Sequence, residues 1–279
     1  MDARLQRRVQ RYGWDRAASD YEPLWHRQLA AAQSALLAAA GLQPGEQVLD
    51  VACGTGLVTA AAARAVGAHG CVLGVDLSGE MIAAAQRHTV ALGLGNVGFA
   101  RMDAEALSFP DASFDVALCA LGLMYPPHPE VALREMRRVL RPGGRMVSAV
   151  WGQRAGCGWA AIFEIVDAEV ASDVCPLFFR LGEPDTLAHL ITEAQFEVSG
   201  QWRLVTTLDY GDGTEACDAA LVGGPVALAW SRFDAATRAR VQRRYLEALE
   251  PWRTGKSYAV PGEFLVVGAR VPPGPCRRS

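Results

Sequence analysis

Short apolar runs alternate with longer amphipathic stretches from Gln47 onward. The apolar and β-branched runs predict five strands, at 48–51, 71–76, 97–100, 114–119 and 145–150. The amphipathic stretches between them predict helices near 57–67, 79–92 and 129–140. Strands that alternate with helical crossovers form parallel sheets with helices on both faces. The pattern therefore predicts an α/β fold with a doubly wound, Rossmann-like sheet.

The regular alternation of short apolar runs and amphipathic stretches ends at Trp151. Helical patterns follow at 158–171, 184–194, 215–222 and 234–249, with strand-like runs at 196–208 and 264–269. No linker rich in Ser, Gly or Pro separates this half from the first. We therefore expect the two late strands to complete one mostly parallel, seven-stranded sheet, while 152–180 and 209–260 cover one edge of it.

Composition and charge narrow the classes of protein. The 279 residues include 27 Lys and Arg against 30 Asp and Glu, for a formal net charge of -3. This balance lacks the basic field of a general nucleic-acid binder. The N-terminus has no apolar signal-peptide core, and the alanine-rich stretch 29–42 is too short and interrupted to span a bilayer. We expect a cytoplasmic protein with no nucleic-acid or membrane partner.

The seven cysteines are scattered, and none forms a Cys-x-x-Cys pair. This spacing is typical of reduced thiols and predicts no metal site. Cys71 and Cys119 lie in apolar runs and are expected to be small core residues. Arsenic methylation gains only slight support from the widely spaced Cys157, Cys175 and Cys217.

A glycine turn after the first strand carries the strongest chemical signal. Gly54 and Gly56 allow the backbone to approach a ligand in conformations that a Cβ would forbid. Asp50 precedes the turn, and Asp76 ends the next strand, where a ribose diol would lie. The third glycine of a dinucleotide fingerprint is replaced by Thr59, and a carboxylate at Asp50 would repel a phosphate. A ligand with an ammonium and a sulfonium fits better, and S-adenosylmethionine is such a ligand.

Several segments, in the right order, resemble one enzyme family. The segment 50–56, Asp-Val-Ala-Cys-Gly-Thr-Gly, resembles motif I of class I S-adenosylmethionine-dependent methyltransferases. The segment 74–81 is similar to the family's second-strand region, and 103–109 to its Asp-Ala-Glu-x-Leu-Pro-Phe region. The segments 114–116 and 134–144 match the fourth strand and the hinge before the fifth strand in the UbiE, or type 11, branch. The resemblance is strong over about 45–151, and the rest matches only in general layout.

The resemblance implies a set of cofactor-binding residues. Asp76 would bind the ribose hydroxyls, and Asp103 would meet the adenine amino group. The expected set for S-adenosylmethionine, and its product S-adenosylhomocysteine, is Asp50, Ala52, Gly54, Thr55, Gly56, Asp76, Leu77, Met81, Asp103, Ala104, Cys119 and Tyr21.

The segment 12–21 resembles the family's lid, in which aromatic side chains close over the methyl donor; an amphipathic helix packed on the sheet is an equal alternative. His26 is a candidate general base if the lid reaches the methyl site, although a surface role is more common for a lone histidine. Tyr125 is a second candidate catalytic residue. His128 stands where the branch has a helix-opening Asp, which favours a helix-start role.

We therefore predict methyl transfer from S-adenosylmethionine to a small, fairly apolar molecule, on O, N or C, in a biosynthetic pathway. The acceptor pocket would be shaped by Tyr21, Met124, Tyr125 and the 152–260 cover. The cover is rich in aromatic residues (Trp159, Phe163, Phe178, Phe179 and Trp230), although a plain core role is the more common one for most of them. Two alternatives stay open: a dinucleotide-dependent oxidoreductase and a non-catalytic S-adenosylmethionine-binding protein. The expected parts are a helical lid (1–44), a cofactor-binding core (45–151), a sheet-completing cover (152–271) and a disordered tail (272–279), in a monomer or homodimer.

Overall fold

The structure is a computed structural model that describes residues 2–170 and 178–273. One eight-stranded sheet organises these residues. Its strands are β1 (Gln47–Val51), β2 (Cys71–Asp76), β3 (Val97–Arg101), β4 (Phe114–Ala120), β5 (Leu140–Trp151), β6 (Glu197–Tyr210), β7 (Arg253–Thr254) and β8 (Ser257–Arg270).

The strand order is β3-β2-β1-β4-β5-β8-β6, and β7 pairs with β8 beside this path. The first five strands are mutually parallel, whereas β8 is antiparallel to both β5 and β6. From β1 the chain adds β2 and then β3 on one side, and it then adds β4 and β5 on the other side of β1. Such a switch point is where open α/β sheets place their ligands. The predicted doubly wound fold is confirmed, with a two-residue eighth strand added to the predicted seven.

The structure forms nine α-helices over the described residues. They are α1 (Ala3–Ala40), α2 (Leu57–Val66), α3 (Gly79–Ala91), α4 (Pro129–Val139), α5 (Ala161–Val170), α6 (Thr186–Glu193), α7 (Gly213–Leu221), α8 (Ala227–Arg232) and α9 (Ala235–Leu249). No helix within 2–170 and 178–273 combines the length and hydropathy that a membrane span requires.

Alternating side chains of the strands supply two hydrophobic cores, one on each face of the sheet. On β4, Val116 and Leu118 pack with α2 and the second half of α1, whereas Ala117 and Cys119 pack on the opposite face with α4 and α5. Successive strand residues point to opposite faces, so an apolar strand that is buried on both sides reads as a continuous apolar run. The uninterrupted apolar runs of the sequence therefore reflect helices on both faces.

The N-terminal helix differs most from expectation. The lid segment 12–21 and most of the alanine-rich stretch 29–42 belong to one 38-residue helix, which continues through Pro23. Asp2 caps its first turn, and Gly41 ends it in the left-handed conformation. Its length lets α1 cross the molecule from the ligand-binding edge of the sheet to the far core.

Two further differences lie after Trp151. The sequence pattern missed α8, and it placed 209–210 and 257–260 in the cover, although β6 and β8 form a longer antiparallel ladder that reaches Tyr210 and Tyr258. The ladder extends beyond the apolar runs because buried Tyr210, Tyr258 and Val260 alternate there with polar or small residues, which interrupts a continuous apolar pattern. Residues 274–279 of the predicted disordered tail lie outside the described residues.

Candidate active site

A large cavity lies at the carboxyl ends of the parallel strands, under α1. It contains about 1090 Å³ of space free of atoms. Segments that follow β1, β2, β3 and β4 line one side of it, and α1 and the cover line the other. Cavities at this position hold cofactors and small substrates in α/β proteins.

The glycine turn after β1 is held open by backbone conformation and by a bond to β2. Ala52 and Gly54 have φ values of 56° and 54°, and both line the cavity. The Gly54 amide donates to Asp76 Oδ2 at 3.0 Å, and the Cys53 amide donates to the Val75 carbonyl at 3.0 Å. The turn is therefore fixed against the end of β2, with its backbone facing the cavity.

We call the part of the cavity lined by residues of 52–54, 75–77 and 102–104 the donor side, and Asp76 lies at its centre. Its Oδ1 accepts from the Ser78 amide at 2.9 Å, and its Oδ2 accepts from Gly54. Burial raises the pKa of Asp76 to about 6, although these backbone hydrogen bonds oppose the shift. A carboxylate has about four lone-pair sites, so Asp76 keeps capacity for a diol that enters the cavity. Leu77 and Met81 line the cavity beside it.

Three predicted cofactor residues lie beneath the turn instead of in the cavity lining: Asp50, Thr55 and Gly56. A Cβ on Gly56 would approach Ala85 Cβ to 3.0 Å, so this glycine allows α2 and α3 to pack closely. Gly56 does not line the cavity, and the atoms nearest to such a Cβ belong to Ala85 and Phe99.

Asp50 is fully buried, and its Oδ2 accepts from Thr59 Oγ1 at 2.6 Å. Its Oδ1, and the Oγ1 of Thr55, are buried and have no hydrogen-bond partner. Burial raises the pKa of Asp50 to about 7. Buried polar atoms at a glycine turn normally find partners in bound ligand or water. These orphaned atoms fit a polar, cationic group bound above the turn, as the amino-acid end of S-adenosylmethionine would be.

Asp103 and Ala104 line the cavity after β3. Arg7 Nε of α1 lies 2.9 Å from Asp103 Oδ2, and the Arg7 guanidinium also contacts Glu105 Oε2. The Glu105 side chain is almost fully buried and accepts from the His128 amide at 2.8 Å. An acidic residue, Asp103, thus follows β3 as predicted, and it pairs with Arg7 of α1.

The lid segment of α1 covers the donor side. Trp14 and Tyr21 line the cavity and meet edge to face, with ring centroids 5.6 Å apart. Asp15 accepts from Ser78 Oγ at 2.6 Å, which ties α1 to the start of α3. Burial, with Asp76 nearby, raises the pKa of Tyr21 well above its ordinary value, so its hydroxyl stays protonated.

Aromatic rings form the opposite end of the cavity. Trp25 and Trp151 each lie close to Trp159, with centroid distances of 5.5 and 4.7 Å. Phe178 contacts Trp159 at 5.5 Å and Tyr125 at 5.6 Å. Tyr125 also meets Trp14 at 5.1 Å, so its ring joins the two ends of the cavity. We call Trp25, Trp151, Trp159 and Phe178 the aromatic end.

Other candidate residues fall in different places. Tyr125, Cys119 and Tyr21 line the cavity, whereas His26 is exposed on α1 and does not line it. His26 lies with exposed Arg27 between the buried turns at Trp25 and at Gln28 and Leu29, on the solvent face of the helix. His128 opens α4, but its side chain makes no cap hydrogen bond.

Some expected acceptor residues are core. Phe163 and Phe179 are buried behind the aromatic end, and Trp230 packs on Phe233. Met124 is buried and does not line the cavity. Cys157 and Cys217 are buried away from the cavity, and Cys175 lies outside the described residues.

Arg7 and Trp151 are among the cavity residues that sequence reasoning missed. A signal existed for Arg7, because the α1 residues that line the cavity fall on one helical face, at Arg7, Gln10, Trp14, Tyr21, Trp25 and Leu29. Trp151 is the last residue of β5, and so it lies at the same edge of the sheet as the other strand ends that line the cavity.

Comparisons with known proteins find matches to the part of the chain that contains the glycine turn. A family described as a methyltransferase domain matches residues 48–144. The ubiquinone/menaquinone biosynthesis C-methyltransferase UbiE of Teredinibacter turnerae is 44% identical over 108 residues, 38% of this chain and 43% of that protein. The chain thus aligns with less than half the length of this curated relative.

Solved structures share the fold. The YcgJ protein of Bacillus subtilis has a TM-score of 0.60 at 18% identity, over 88% of this chain and 100% of that one. The 4+2 cyclase SpnF has a TM-score of 0.59 at 22% identity, over 88% of this chain and 81% of that one.

The 48–144 region is therefore a class I S-adenosylmethionine-dependent methyltransferase domain. The family resemblance read from the motifs is confirmed, and the similarity to a UbiE protein agrees with the branch that they indicated.

Proposed function

We propose that the protein transfers a methyl group from S-adenosylmethionine to a small, apolar, ring-bearing acceptor. The observation that carries this proposal is the continuous cavity that joins the glycine turn and Asp76 to the aromatic end. A donor and an acceptor bound at these two ends would share one enclosed space. In-line methyl transfer requires this arrangement, because the nucleophile must approach from behind the methyl carbon.

Residues of the donor side would hold the cofactor by its polar groups. When bound there, S-adenosylmethionine supplies an electrophilic methyl group on a sulfonium. Asp76 would accept from the ribose hydroxyls, while the Gly54 backbone leaves room for the amino-acid end. Tyr21 would cover this side from α1; its Cε1 lies 3.9 Å from the position that a Cβ on Gly54 would take. These contacts orient the donor and exclude water.

The aromatic end would select a flat, apolar acceptor. Trp159 is 1% exposed and Trp151 is 4% exposed, so the rings offer rigid apolar walls. Aromatic rings pack edge to face or offset on one another, which favours a substrate that itself carries a ring. The relative from Teredinibacter turnerae is named a C-methyltransferase of quinone biosynthesis, which supports a ring carbon as the accepting atom.

Tyr125 would orient the acceptor where the two ends meet. Its ring contacts Trp14 on the donor side and Phe178 at the aromatic end. Burial raises the pKa of the neighbouring Cys119 thiol to about 12, so Cys119 stays protonated and provides shape instead of charge. Proximity and orientation, with water excluded, supply most of what this displacement needs.

Incubation with methyl-labelled S-adenosylmethionine and a panel of quinols, phenols, amines and thiols tests the proposal. We expect label in quinols or phenols, and much less label with the Asp76→Asn variant at a donor concentration that does not saturate it. The Asp111→Asn variant is a matched control, because Asp111 is exposed and pairs with Arg138 outside the cavity. If S-adenosylhomocysteine binds but no acceptor gains label, the proposal is wrong and a non-catalytic donor-binding protein replaces it.

A further inference from the structure

The first turns of α1 bring one cation to the donor side of the cavity. Arg7 lines the cavity, and its guanidinium contacts the carboxylates of Asp103 and Glu105. The Arg7 side chain is 31% exposed, whereas Glu105 is 4% exposed at its side chain. A nearly buried carboxylate needs such a partner, because an unpaired buried charge is costly.

The hydrogen bonds around Glu105 and Asp103 show what Arg7 organises. Asp103 Oδ1 accepts from the Glu105 amide at 2.9 Å, which leaves Oδ2 on the side of Arg7. Glu105 Oε1 accepts from the His128 amide at 2.8 Å, while its Oε2 faces Arg7. One guanidinium therefore connects α1 with the turn after β3 and, through Glu105, with the start of α4.

The position of Asp103 relative to Asp76 suggests which part of a nucleoside it faces. β3 is the neighbour of β2 and lies at the edge of the sheet. A nucleoside whose ribose meets Asp76 at the end of β2 would direct its base along the edge toward the segment after β3. Met102 and Ala104 provide apolar surface for a base there, and Asp103 provides an acceptor.

We propose that Arg7 is a positioning residue for the donor's adenine ring. Its contacts hold the Asp103 carboxylate in the orientation that accepts from the exocyclic amino group of the base. The same contacts fix the first turns of α1 above the base. This inference rests on the proposed function, because it assumes that S-adenosylmethionine is the donor. It adds α1, outside the matched 48–144 region, to the determinants of base recognition.

Calorimetric titration with two ligands tests this role. S-adenosylhomocysteine carries the amino group, and S-inosylhomocysteine replaces it with a carbonyl that would face the Asp103 carboxylate. We expect the wild-type protein to bind the adenosyl ligand about tenfold more tightly, the size of effect typical of one hydrogen bond to a charged group. The Arg7→Gln variant should reduce this preference to about threefold or less.

Two further variants separate positioning from simple structural support. Arg7→Lys keeps the charge and should restore part of the preference, whereas Arg8→Gln changes a neighbouring exposed arginine and should leave it unchanged. A general loosening of α1 would weaken both ligands equally and leave their ratio intact, and that result would overturn the inference.

The outcomes also distinguish this inference from the proposed function. If the wild-type protein binds neither ligand, the donor assignment itself fails. If it binds and discriminates, but Arg7→Gln discriminates equally well, only the role of Arg7 is wrong. Equal affinity of the wild type for both ligands would show that Asp103 does not recognise the amino group, and it would overturn the inference as well.

Discussion

The two ends of the cavity are assembled in different ways. The donor side comes from short segments that follow consecutive strands, at 52–54, 75–77 and 102–104. The aromatic end combines Trp25 of α1, Trp151 of β5, and Trp159 and Phe178 of the cover. Local motifs therefore build the donor side, whereas long-range packing builds the acceptor side.

Similarity to known proteins follows the same division. The methyltransferase family matches 48–144, and all four rings of the aromatic end lie outside that range. A shared donor requires a shared donor side, but nothing requires the acceptor to be shared. The class of chemistry can therefore be inferred by comparison, while the acceptor must be inferred from the cavity itself.

The largest effect should come from the centre of the donor side. Asp76→Asn should weaken S-adenosylhomocysteine binding by about 2 kcal/mol, or about thirtyfold, since it loses a charged acceptor that also fixes Gly54. Calorimetry measures the change, and Asp111→Asn should bind normally. An Asp76→Asn protein with wild-type affinity would remove this residue from the donor side.

A second prediction compares Gly56 of the turn with Gly41, the glycine that ends α1. Gly56→Ala should lower the free energy of unfolding by about 2 kcal/mol, because φ is 83° and the new methyl would approach Ala85 Cβ to 3.0 Å. Gly41→Ala should cost about 1 kcal/mol, since it also has a positive φ but no atom within 4 Å. Urea unfolding measures both changes. Equal losses would show that Gly56 has no packing role.

The raised pKa of Asp76 predicts a pH dependence for the donor side. Its carboxyl titrates near 6, so donor affinity should rise with pH and be about tenfold lower at pH 5 than at pH 8. Titrations of S-adenosylhomocysteine across this range would show it, and Asp76→Asn should lose the step near pH 6. A wild-type affinity that stays constant from pH 5 to 8 would contradict the prediction.

The same shift affects stability with the opposite sign. The folded protein keeps the Asp76 proton at pH values where the unfolded chain has released it. The resulting stabilisation is full below the unfolded pKa of about 4 and is lost as pH rises through 6. Ligand-free unfolding experiments should therefore show Asp76→Asn gaining stability relative to wild type as pH rises.

The smallest effect should appear at the aromatic end. Trp159→Phe should raise the KM of a methyl acceptor by about threefold and leave S-adenosylhomocysteine affinity within about twofold, since it reshapes only the acceptor wall. The matched control is Trp230→Phe, which changes an aromatic residue outside the cavity. If donor affinity falls as far as acceptor affinity, the two ends do not act separately.

The sequence predicted the donor side far better than the acceptor side. Strand ends and glycine turns are local patterns, so the amino-acid sequence alone could place Gly54, Asp76 and Asp103 at the site. Their exact neighbours could not be predicted in this way. Asp50 lies within β1 and Gly56 directly precedes α2, and neither lines the cavity, although Gly54 does.

The acceptor side depends on contacts between distant segments. Trp25 and Trp159 are 134 positions apart, yet their rings lie 5.5 Å from each other. No periodicity in the sequence predicts such a contact. Buried aromatic residues give the same sequence pattern whether they line a cavity or fill a core. Phe163 and Phe178 illustrate this, since only Phe178 reaches the cavity.

The central claim is that the donor side binds S-adenosylmethionine, and calorimetric titration of the wild-type protein with S-adenosylhomocysteine tests it most directly. We predict saturable binding at one site per chain, unaffected by NADH in competition. Absence of detectable binding, or displacement of the ligand by NADH, would contradict the account.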